Sequence, residues 1–237
     1  MTEFTTWRSL VDGEEISAIP DAQLPQLQSS WPLSEGSGQT WVDVEGSDDA
    51  NANFDSWVSG DYVGDFAVNP DGSSDDAGSD SVAPSGNIWL SAAIDIDATP
   101  SNRAHLHGYF EAGAGADGTR FFRLEDDGTC QFVVRGSDED QNIVSTPSLS
   151  EGNHAFVGYV DTDNDEIAIS HNGSVVDTLD VSGISFETTL PEGEHHILSR
   201  DSLDSYFGDL LETFGVGAAV PSSEQLSDHY QAFPWSD

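Results

Sequence analysis

The stretch that most constrains this chain spans residues 153–182, NHAFVGYVDTDNDEIAISHNGSVVDTLDVS. Residues 154–160, 166–171 and 174–181 each have the pattern of a strand, and the polar residues 161–165 predict a turn between the first two. Asn172 and Gly173 predict a two-residue hairpin turn, because both central positions of a type I′ turn need positive φ. Three antiparallel strands need a second sheet to cover their apolar face. The sequence therefore predicts a β-sandwich whose second sheet comes from the rest of the chain.

The charge of the chain is extreme. Among 237 residues, 44 are Asp or Glu and six are basic, all of them arginine, so the formal net charge is −38. Such self-repulsion destabilises a compact state, but a Debye length of about 3 Å at molar salt screens most of it. The composition is therefore typical of a protein from an extreme halophile. The alternative is a disordered chain, which the regular strand patterns and the six Trp, five Tyr and twelve Phe residues disfavour.

The composition also bears on partners and location. So few cations could not neutralise a run of phosphates, which argues against a nucleic-acid partner. Cys130 is the only cysteine, so no intrachain disulfide is predicted, and its strand context predicts a small buried side chain.

The residues after Met1 are polar and acidic, which predicts no signal peptide, and no apolar run is long enough for membrane insertion. We expect either a cytoplasmic protein or one that is exported by assembly into a virus particle.

The first thirty residues differ from the rest of the chain. Residues 1–30 contain scattered apolar side chains without a sustained period, and prolines and turn formers interrupt them. We therefore predict an N-terminal arm over residues 1–30 and a single domain over residues 31–237. A terminus becomes ordered only when something holds it. The arm is expected to bind its own domain or a neighbouring subunit.

Three segments of the domain resemble a known family. The opening WPLSEGSGQTWVDVEG combines strand residues, an acidic residue, glycines and an Asp-x-x-Gly turn; the 153–182 meander and the closing YFGDLLETF follow in order. Together they resemble the laminin-G-like, concanavalin A-like jelly-roll domains over about residues 31–230. The resemblance implies an all-β, lectin-like sandwich of two antiparallel sheets. The matching positions outside the meander are Trp31, Leu33, Glu35, Gly36, Gly38, Asp43, Gly46, Phe207, Gly208, Asp209 and Glu212.

The remaining segments supply further strands and a helix. Residues 87–97, 103–112, 119–125 and 129–135 have strand patterns, and Asp126-Asp127-Gly128 predicts a hairpin turn between the last two. The acidic, Gly- and Ser-rich residues 65–86 predict a solvated surface loop. Residues 221–230 predict one short helix, with Ser222 as N-cap and Gln225 at the capping-box position.

Catalysis is not supported by a recognisable motif. Retaining glycoside hydrolases of this fold need two carboxyl groups about 5 Å apart, on one strand as Glu-x-Asp-x-x-Glu. The nearest segment is residues 93–97, where Ala93 stands in place of the first Glu beside Asp95 and Asp97. No Ser-His-Asp or Cys-His spacing is recognisable. We therefore expect a non-enzymatic protein, with a glycoside hydrolase of degenerate motif as an alternative.

A metal site is an open alternative in the turn of the meander. Asp161, Asp163 and Asp165 place oxygen ligands at alternate positions, as a calcium loop does. The loop lacks the glycine and the bidentate glutamate of an EF-hand. Calcium is therefore one interpretation, and a solvated hairpin turn in an acidic protein is the other.

The scarce cations suggest a binding patch. Strand alternation places His105, His107 and Tyr109 on one face, and similarly separates Arg123 and Arg135 from their apolar neighbours. We therefore expect these five side chains to be exposed on one sheet face as a ligand-binding patch. Arginine forks and aromatic rings suit anionic sugars. The alternative is that these cations only offset neighbouring carboxylates.

These features lead to a hypothesis about function. The halophilic composition, the lack of an export signal and the arm before a lectin-like domain suggest a structural or attachment protein of a halophilic archaeal virus. We expect the arm to bind other virion proteins and the domain to bind host surface glycans. The expected location is the surface of the virus particle. We expect a homo-oligomer. The alternative is a cellular carbohydrate-binding or adhesion module of a halophile.

The charge predicts a steep dependence of stability on salt. Between about 0.1 and 3 M KCl, the melting temperature should rise steeply, because screening removes the repulsion between carboxylates. Thermal melts followed by circular dichroism would measure this. A melting temperature that does not change across this range would contradict the halophilic interpretation.

Overall fold

Short strands make up nearly all of the regular structure. The computed structural model describes residues 19–84, 86–97, 102–110, 119–136, 140–186, 194–199 and 207–236. A 3-10 turn covers Pro20–Gln23 and the helix α1 covers Ser223–Gln231. The strands are β1 (Leu27–Trp31), β2 (Thr40–Trp41), β3 (Ala50–Ala52), β4 (Trp57–Ser59), β5 (Phe66–Val68), β6 (Ala77–Ser79), β7 (Ile88–Ile96), β8 (Ala104–Phe110), β9 (Arg120–Leu124), β10 (Cys130–Arg135), β11 (Gln141–Ser145), β12 (Gly152–Asp161), β13 (Glu166–His171), β14 (Ser174–Asp180), β15 (Glu194–Ile197) and β16 (Leu210–Gly217).

The strands form two antiparallel sheets that pack face to face as a jelly-roll β-sandwich. The first sheet has the order β14-β13-β12-β7-β16-β5-β4, and β1 also pairs with β16. The second sheet has the order β11-β10-β9-β8-β15-β6-β3-β2. Neighbouring strands in both sheets are often far apart in sequence. The predicted fold class is confirmed.

The meander over residues 153–182 forms one side of the first sheet. β12 pairs with β13, and β13 with β14, both antiparallel. Asn172 and Gly173 have φ angles of 48° and 78°, as a type I′ turn requires. The other edge of β12 pairs with β7, with Val160 opposite Ile88. The predicted meander is confirmed, and β7 connects it to the rest of the sheet.

The core lies between the sheets and is rich in aromatic rings. Trp31 stacks on Phe214 with ring centroids 4.7 Å apart, and Phe122 lies 5.3 Å from Phe132. Full burial of one such side chain contributes about 2 kcal/mol to stability. Cys130 is buried in the same core, which confirms the expectation from its strand context.

The Asp-x-x-Gly segment near the start of the domain forms the predicted turn. Oδ1 of Asp43 accepts hydrogen bonds from the backbone N–H groups of Ser30, Glu45 and Gly46 at 3.0, 3.1 and 3.0 Å. Asp43 is itself largely buried. Its carboxylate therefore closes the turn and also fastens it to β1.

Part of the predicted arm belongs to the domain. Ile19 and Leu24 are 1% and 4% exposed, and β1 pairs with β16 from Leu27 onward. The boundary at residue 30 was therefore wrong for residues 19–30, whose apolar side chains complete the sandwich. Residues 1–18 lie outside the described residues, and the arm stays a prediction for them.

A buried carboxylate ties this N-terminal segment to the opposite end of the chain. Asp21 is fully buried. Its Oδ2 accepts from Ser30 Oγ at 2.8 Å, and its Oδ1 accepts from Ser91 Oγ at 2.6 Å. Oδ1 also lies 3.2 Å from Nε2 of His229 in α1. One side chain thus joins the 3-10 turn, β1, β7 and α1.

The helix is capped as predicted. Ser222 Oγ accepts from the backbone N–H of Gln225 at 3.2 Å, and Gln225 Oε1 accepts from the backbone N–H of Ser222 at 3.0 Å. This confirms the capping box. No helix among the described residues is long and apolar enough to cross a membrane.

The acidic connection over residues 65–86 was predicted incorrectly as a loop. It contains β5, which pairs with β4 and β16, and β6, which lies between β3 and β15. Both strands have only three residues. Such short strands carry little periodicity in sequence.

Replacement of Asp21 by Ala should be strongly destabilising. The change leaves buried hydroxyl and imidazole groups without their acceptor, and we expect a loss of about 3 kcal/mol or more in the free energy of unfolding. Urea unfolding in molar KCl would measure it. Asp126→Ala is the control, because Asp126 is exposed and such changes usually stay within about 0.5 kcal/mol. Equal losses in the two variants would contradict the anchoring role.

Candidate functional site

A β-bulge in β8 alters the predicted cation patch. His105 pairs with Arg123, and Gly108 pairs with Phe121. Two residues of β8 therefore lie opposite a single residue of β9, which defines a bulge. Strict alternation of faces is lost at this point. His107 consequently faces the interior, whereas His105 does not share its face.

The two central members of the predicted patch are core residues. His107 and Tyr109 are both 0% exposed. The Tyr109 hydroxyl lies 2.9 Å from Ser81 Oγ, and burial raises the pKa of that hydroxyl well above its usual value. The prediction that the side chains of His107 and Tyr109 are exposed was therefore wrong.

The other three residues do not form an open cationic surface. His105 is 2% exposed and Arg123 4% exposed, and Arg135 is half-buried. Nε of Arg123 lies 2.8 Å from Glu125 Oε1 and donates to Gln131 Oε1 at 2.8 Å. The guanidinium charge of Arg123 is thus neutralised within the sheet. The alternative interpretation, in which these cations offset carboxylates, describes Arg123 better.

The aspartates of the meander turn stabilise the turn itself. Asp161 Oδ1 accepts from the backbone N–H groups of Asp163 and Asn164, both at 3.0 Å, and Oδ2 accepts from Asn164 Nδ2 at 2.7 Å. Asp163 Oδ2 accepts from Asn87 Nδ2 at 3.2 Å. Among the described residues, no three acidic, histidine or cysteine side chains converge as metal ligands. The calcium interpretation of Asp161, Asp163 and Asp165 stays a prediction that this geometry does not favour.

Carboxylates also cluster near the degenerate hydrolase motif. Burial raises the pKa of Asp95, and Asp97 adds repulsion. Burial also raises the pKa of Glu212 to about 8, although Trp235 Nε1 donates a hydrogen bond to its Oε2 at 2.8 Å. Of these groups, Glu212 has the pKa most suited to a general acid, yet its side chain is 0% exposed. In this conformation the Glu212 side chain cannot reach a sugar in solvent.

A polar cleft lies on the outer face of the second sheet, where β3, β6 and β15 are neighbours. One row of paired residues crosses it: Asn51, Gly78, His196 and Gly108. Both residues that flank His196 in this row are glycines, so no side chain stands on either side of its imidazole. The cleft has a volume of about 220 Å³ and is open to solvent. The described residues that line it are Asn51, Gly78, Ser79, Asp80, His195 and His196.

The cleft has an acidic rather than a basic character. Asp80 is exposed at its edge. The nearby Asp76 has its pKa raised by burial, while the interaction with His196 acts in the opposite direction. The described lining contains no arginine. The cleft therefore differs in electrostatics from the cationic patch predicted from the sequence.

Two buried histidines support the floor of the cleft. Ser79 Oγ lies 2.8 Å from His195 Nδ1, and His195 Nε2 lies 3.2 Å from His107 Nδ1. His107 Nε2 lies 2.6 Å from the backbone oxygen of Ser91 on the opposite sheet. Burial lowers the pKa of His107 to about 4 and the pKa of His195 well below its usual value. Both imidazoles are therefore neutral at neutral pH.

Sequence reasoning missed this site almost entirely. Gly78, Ser79 and Asp80 fall in the segment that was predicted to be a loop, and Asn51 lies in a strand of only three residues, which is too short to be recognised by its alternation. The adjacent histidines 195 and 196 were the one available signal, since the chain has only seven histidines. Their significance depends on the pairing of β15 with β6 and β8, which no local pattern indicates.

Comparison with known proteins shows a likeness in structure alone. No protein-family model matches the chain, and no curated protein does. The CBM40 of Ruminococcus gnavus IT-sialidase, solved with α2,3-sialyllactose, covers 61% of this chain and 82% of its own, with 15% identity and a TM-score of 0.51. A sequence identity of 15% supports a shared fold only.

Two larger proteins contain similar domains. The botulinum neurotoxin serotype D ligand-binding domain, in complex with N-acetylneuraminic acid, aligns with 90% of this chain and 52% of its own, with 12% identity and a TM-score of 0.67. Trypanosoma rangeli sialidase aligns with 99% of this chain and 37% of its own, with 16% identity and a TM-score of 0.60. This chain therefore spans about half or less of these two proteins, and the likeness is again one of fold.

The buried histidines predict a loss of stability in mild acid. Because the pKa of His107 is lower in the folded protein than in the unfolded chain, its contribution is present above about pH 6.5 and is lost as pH falls toward about 4. Over this range, the contribution of His107 to the free energy of unfolding falls by up to about 1.4 kcal/mol per pH unit. Urea unfolding at about pH 7.5 and 5 should show a smaller pH difference in His107→Gln than in the unaltered protein. Equal differences would contradict the assignment of His107 as a buried neutral base.

Proposed function

We propose that this chain is a non-enzymatic glycan-binding protein and that the cleft over Gly78 holds the sugar. The observation that carries the proposal is the set of polar groups around that glycine. Asn51 supplies an amide, Asp80 a carboxylate and His196 an imidazole. A few placed polar groups in a concave surface are the usual basis of small-ligand recognition.

The architecture around the cleft supports this proposal. The polar groups lie on or next to strands that pair on both sides, so they are held in place before a ligand arrives. Such preorganisation reduces the entropy cost of binding. Two of the structural neighbours were solved with sialylated ligands, which makes sugars the first class of ligand to test. The complete burial of Glu212, the most acid-like carboxyl group near Asp95, disfavours the degenerate-hydrolase alternative.

We further propose a biological setting for this binding. The net charge of −38 suits a protein that works in molar salt. A glycan-binding domain behind an N-terminal arm suits a structural or attachment protein on the surface of a halophilic archaeal virus, assembled as a homo-oligomer. Residues 1–18 would then bind other virion proteins, and the cleft would bind host surface glycans. A cellular adhesion module of a halophile would use the cleft in the same way.

Filling the cleft should abolish glycan binding without unfolding the protein. A Cβ atom at Gly78 would lie 3.2 Å from the backbone oxygen of His195 and would touch nothing else closely, so Gly78→Leu should place its side chain in the cleft. We expect at least about a tenfold loss of affinity, a difference of about 1.4 kcal/mol. Binding to a glycan array in about 3 M KCl would measure this.

The matched control adds the same side chain elsewhere. Thr178 is exposed on β14 of the other sheet, and Thr178→Leu should bind like the unaltered protein. Undiminished binding by folded Gly78→Leu would show that the cleft is not the binding site. Failure of the unaltered protein to bind any glycan would contradict the proposed function itself.

A further inference from the structure

A carboxyl group is buried beneath the segment that follows α1. Glu212 lies in β16 and is 0% exposed. Its Oε2 accepts a hydrogen bond from Trp235 Nε1 at 2.8 Å. Its Oε1 is also buried and has no hydrogen-bond partner among the described residues. Trp235 therefore covers Glu212 but satisfies only one of its two carboxyl oxygens.

We call residues 232–236, which contain Trp235, the strap. The rings of Phe233 and Trp235 stack with their centroids 4.7 Å apart. Phe233 is 2% exposed and belongs to an apolar cluster on the face of β7 and β12 that is turned away from the core between the sheets. Apolar contacts and the hydrogen bond from Trp235 to Glu212 thus hold the strap on the first sheet. The buried members of this cluster are Val63, Ala93, Ala155 and Phe233.

The surroundings of Glu212 favour its protonated form. Burial raises the pKa of Glu212 to about 8, and the charge of Asp95 acts in the same direction. The hydrogen bond from Trp235 opposes this effect without outweighing it. Apart from one histidine, which interacts with Asp95, the other titratable groups at this place become negative when they ionise. The groups are Asp95 in β7, Asp97 after β7, Tyr62 between β4 and β5, Asp209 before β16, His154 in β12 and Tyr230 in α1.

Ionisation of Glu212 conflicts with the closed position of the strap. It would place a buried charge beside Asp95, with Oε1 of Glu212 still lacking a donor among the described residues. A buried charge without compensation is strongly unfavourable. Because the side chain of Trp235 covers the carboxyl group, detachment of the strap would let water solvate it. The ionised form of Glu212 therefore favours an open strap.

The helix α1 has anchors of its own, so the strap can detach without it. His229 Nε2 lies 3.2 Å from Oδ1 of the buried Asp21. Leu226 is 1% exposed and packs in a different apolar cluster from Phe233. The strap begins only after Gln231, where α1 ends. A hinge at this point would release the strap and leave α1 in place.

We propose that the strap is a pH-sensitive device that covers the outer face of the first sheet while Glu212 is protonated and detaches when Glu212 ionises. Detachment exposes Phe233, its apolar contact surface and the carboxylates of Glu212 and Asp95. The open form presents Glu212 as a carboxylate, which cannot act as a general acid. The strap lies on the first sheet and the cleft on the second, so this inference is independent of the proposed function.

The pH range follows from the two states of Glu212. Its pKa is about 8 with the strap closed, against an ordinary value of 4.5 for a solvated glutamate. The contribution of Glu212 to closure is therefore complete below about pH 4.5 and is lost as pH rises to about 8. Within this range, the ratio of open to closed strap should rise by up to about tenfold per pH unit.

Amide hydrogen exchange in about 3 M KCl tests the device. The backbone N–H of Phe233 donates to Tyr230 O at 3.1 Å, and the backbone N–H of Ser236 donates to Phe233 O at 3.2 Å. Glu212→Gln keeps an acceptor for Trp235 but cannot ionise. The exchange rates of these two amides in the unaltered protein, divided by those in Glu212→Gln at the same pH, should rise at least about tenfold between about pH 6 and 8.

Two controls separate the strap from the rest of the molecule. Glu151 is exposed, and the same ratio for Glu151→Gln should not change with pH. The backbone N–H of Leu226, which donates to Ser222 O within α1 at 3.0 Å, reports on the helix. In the unaltered protein alone, the protection factors of the strap amides should fall between about pH 6 and 8, whereas that of Leu226 should not.

The outcomes decide the inference one way or the other. A rising ratio for the strap amides, with Leu226 unaffected, supports the device. A ratio that stays constant between Glu212→Gln and the unaltered protein would overturn it. Protection factors that fall together in the strap and at Leu226 would also overturn it, because the pH effect would then belong to the whole sandwich. If Glu212→Gln does not fold, the protection factors of the unaltered protein still decide.

Discussion

The structure depends on hydrogen-bond partners for the histidine, serine and aspartate side chains that are buried around β7. A buried group without a hydrogen bond costs a few kcal/mol, and this core contains imidazoles from the second sheet directly opposite β7. The carbonyl of Ser91 accepts from His107, and the hydroxyl of the same residue donates to Asp21. Ser91 thus joins the histidines beneath the cleft to the carboxylate that anchors both ends of the described chain. Replacing any residue in this series of hydrogen bonds leaves the groups next to it without a partner.

The features that sequence could predict were those with local signals. The Asn172-Gly173 turn and the Ser222–Gln225 capping box each depend on a few adjacent residues, and both are present. The bulge that moves His107 into the core depends instead on how β8 pairs with β9. The cleft depends on the lateral order of β3, β6 and β15. Neither property is encoded within one segment, so alternation could not show that His107 and Tyr109 are buried.

The distribution of arginines has a physical reason that corrects the sequence argument. We expected scarce cations to be kept for an exposed binding surface. Arg120 and Arg123 are instead 1% and 4% exposed. If the protein works in molar salt, as proposed, dissolved cations screen exposed carboxylates over about 3 Å but do not reach buried ones. Protein cations are therefore most useful inside the fold, and Arg123 beside Glu125 is such a case.

The small size of the cleft bears on the proposed setting. A cleft of about 220 Å³ with a few polar contacts can hold about one sugar ring and should bind it weakly, since few groups contribute. Preorganisation on paired strands lowers the ordering cost but does not add contacts. Strong attachment to a glycan surface then requires several copies that act together, because linked sites can raise avidity by about 10²–10⁴-fold. A homo-oligomer on a particle surface would provide that repetition, with the arm holding the copies at a fixed spacing.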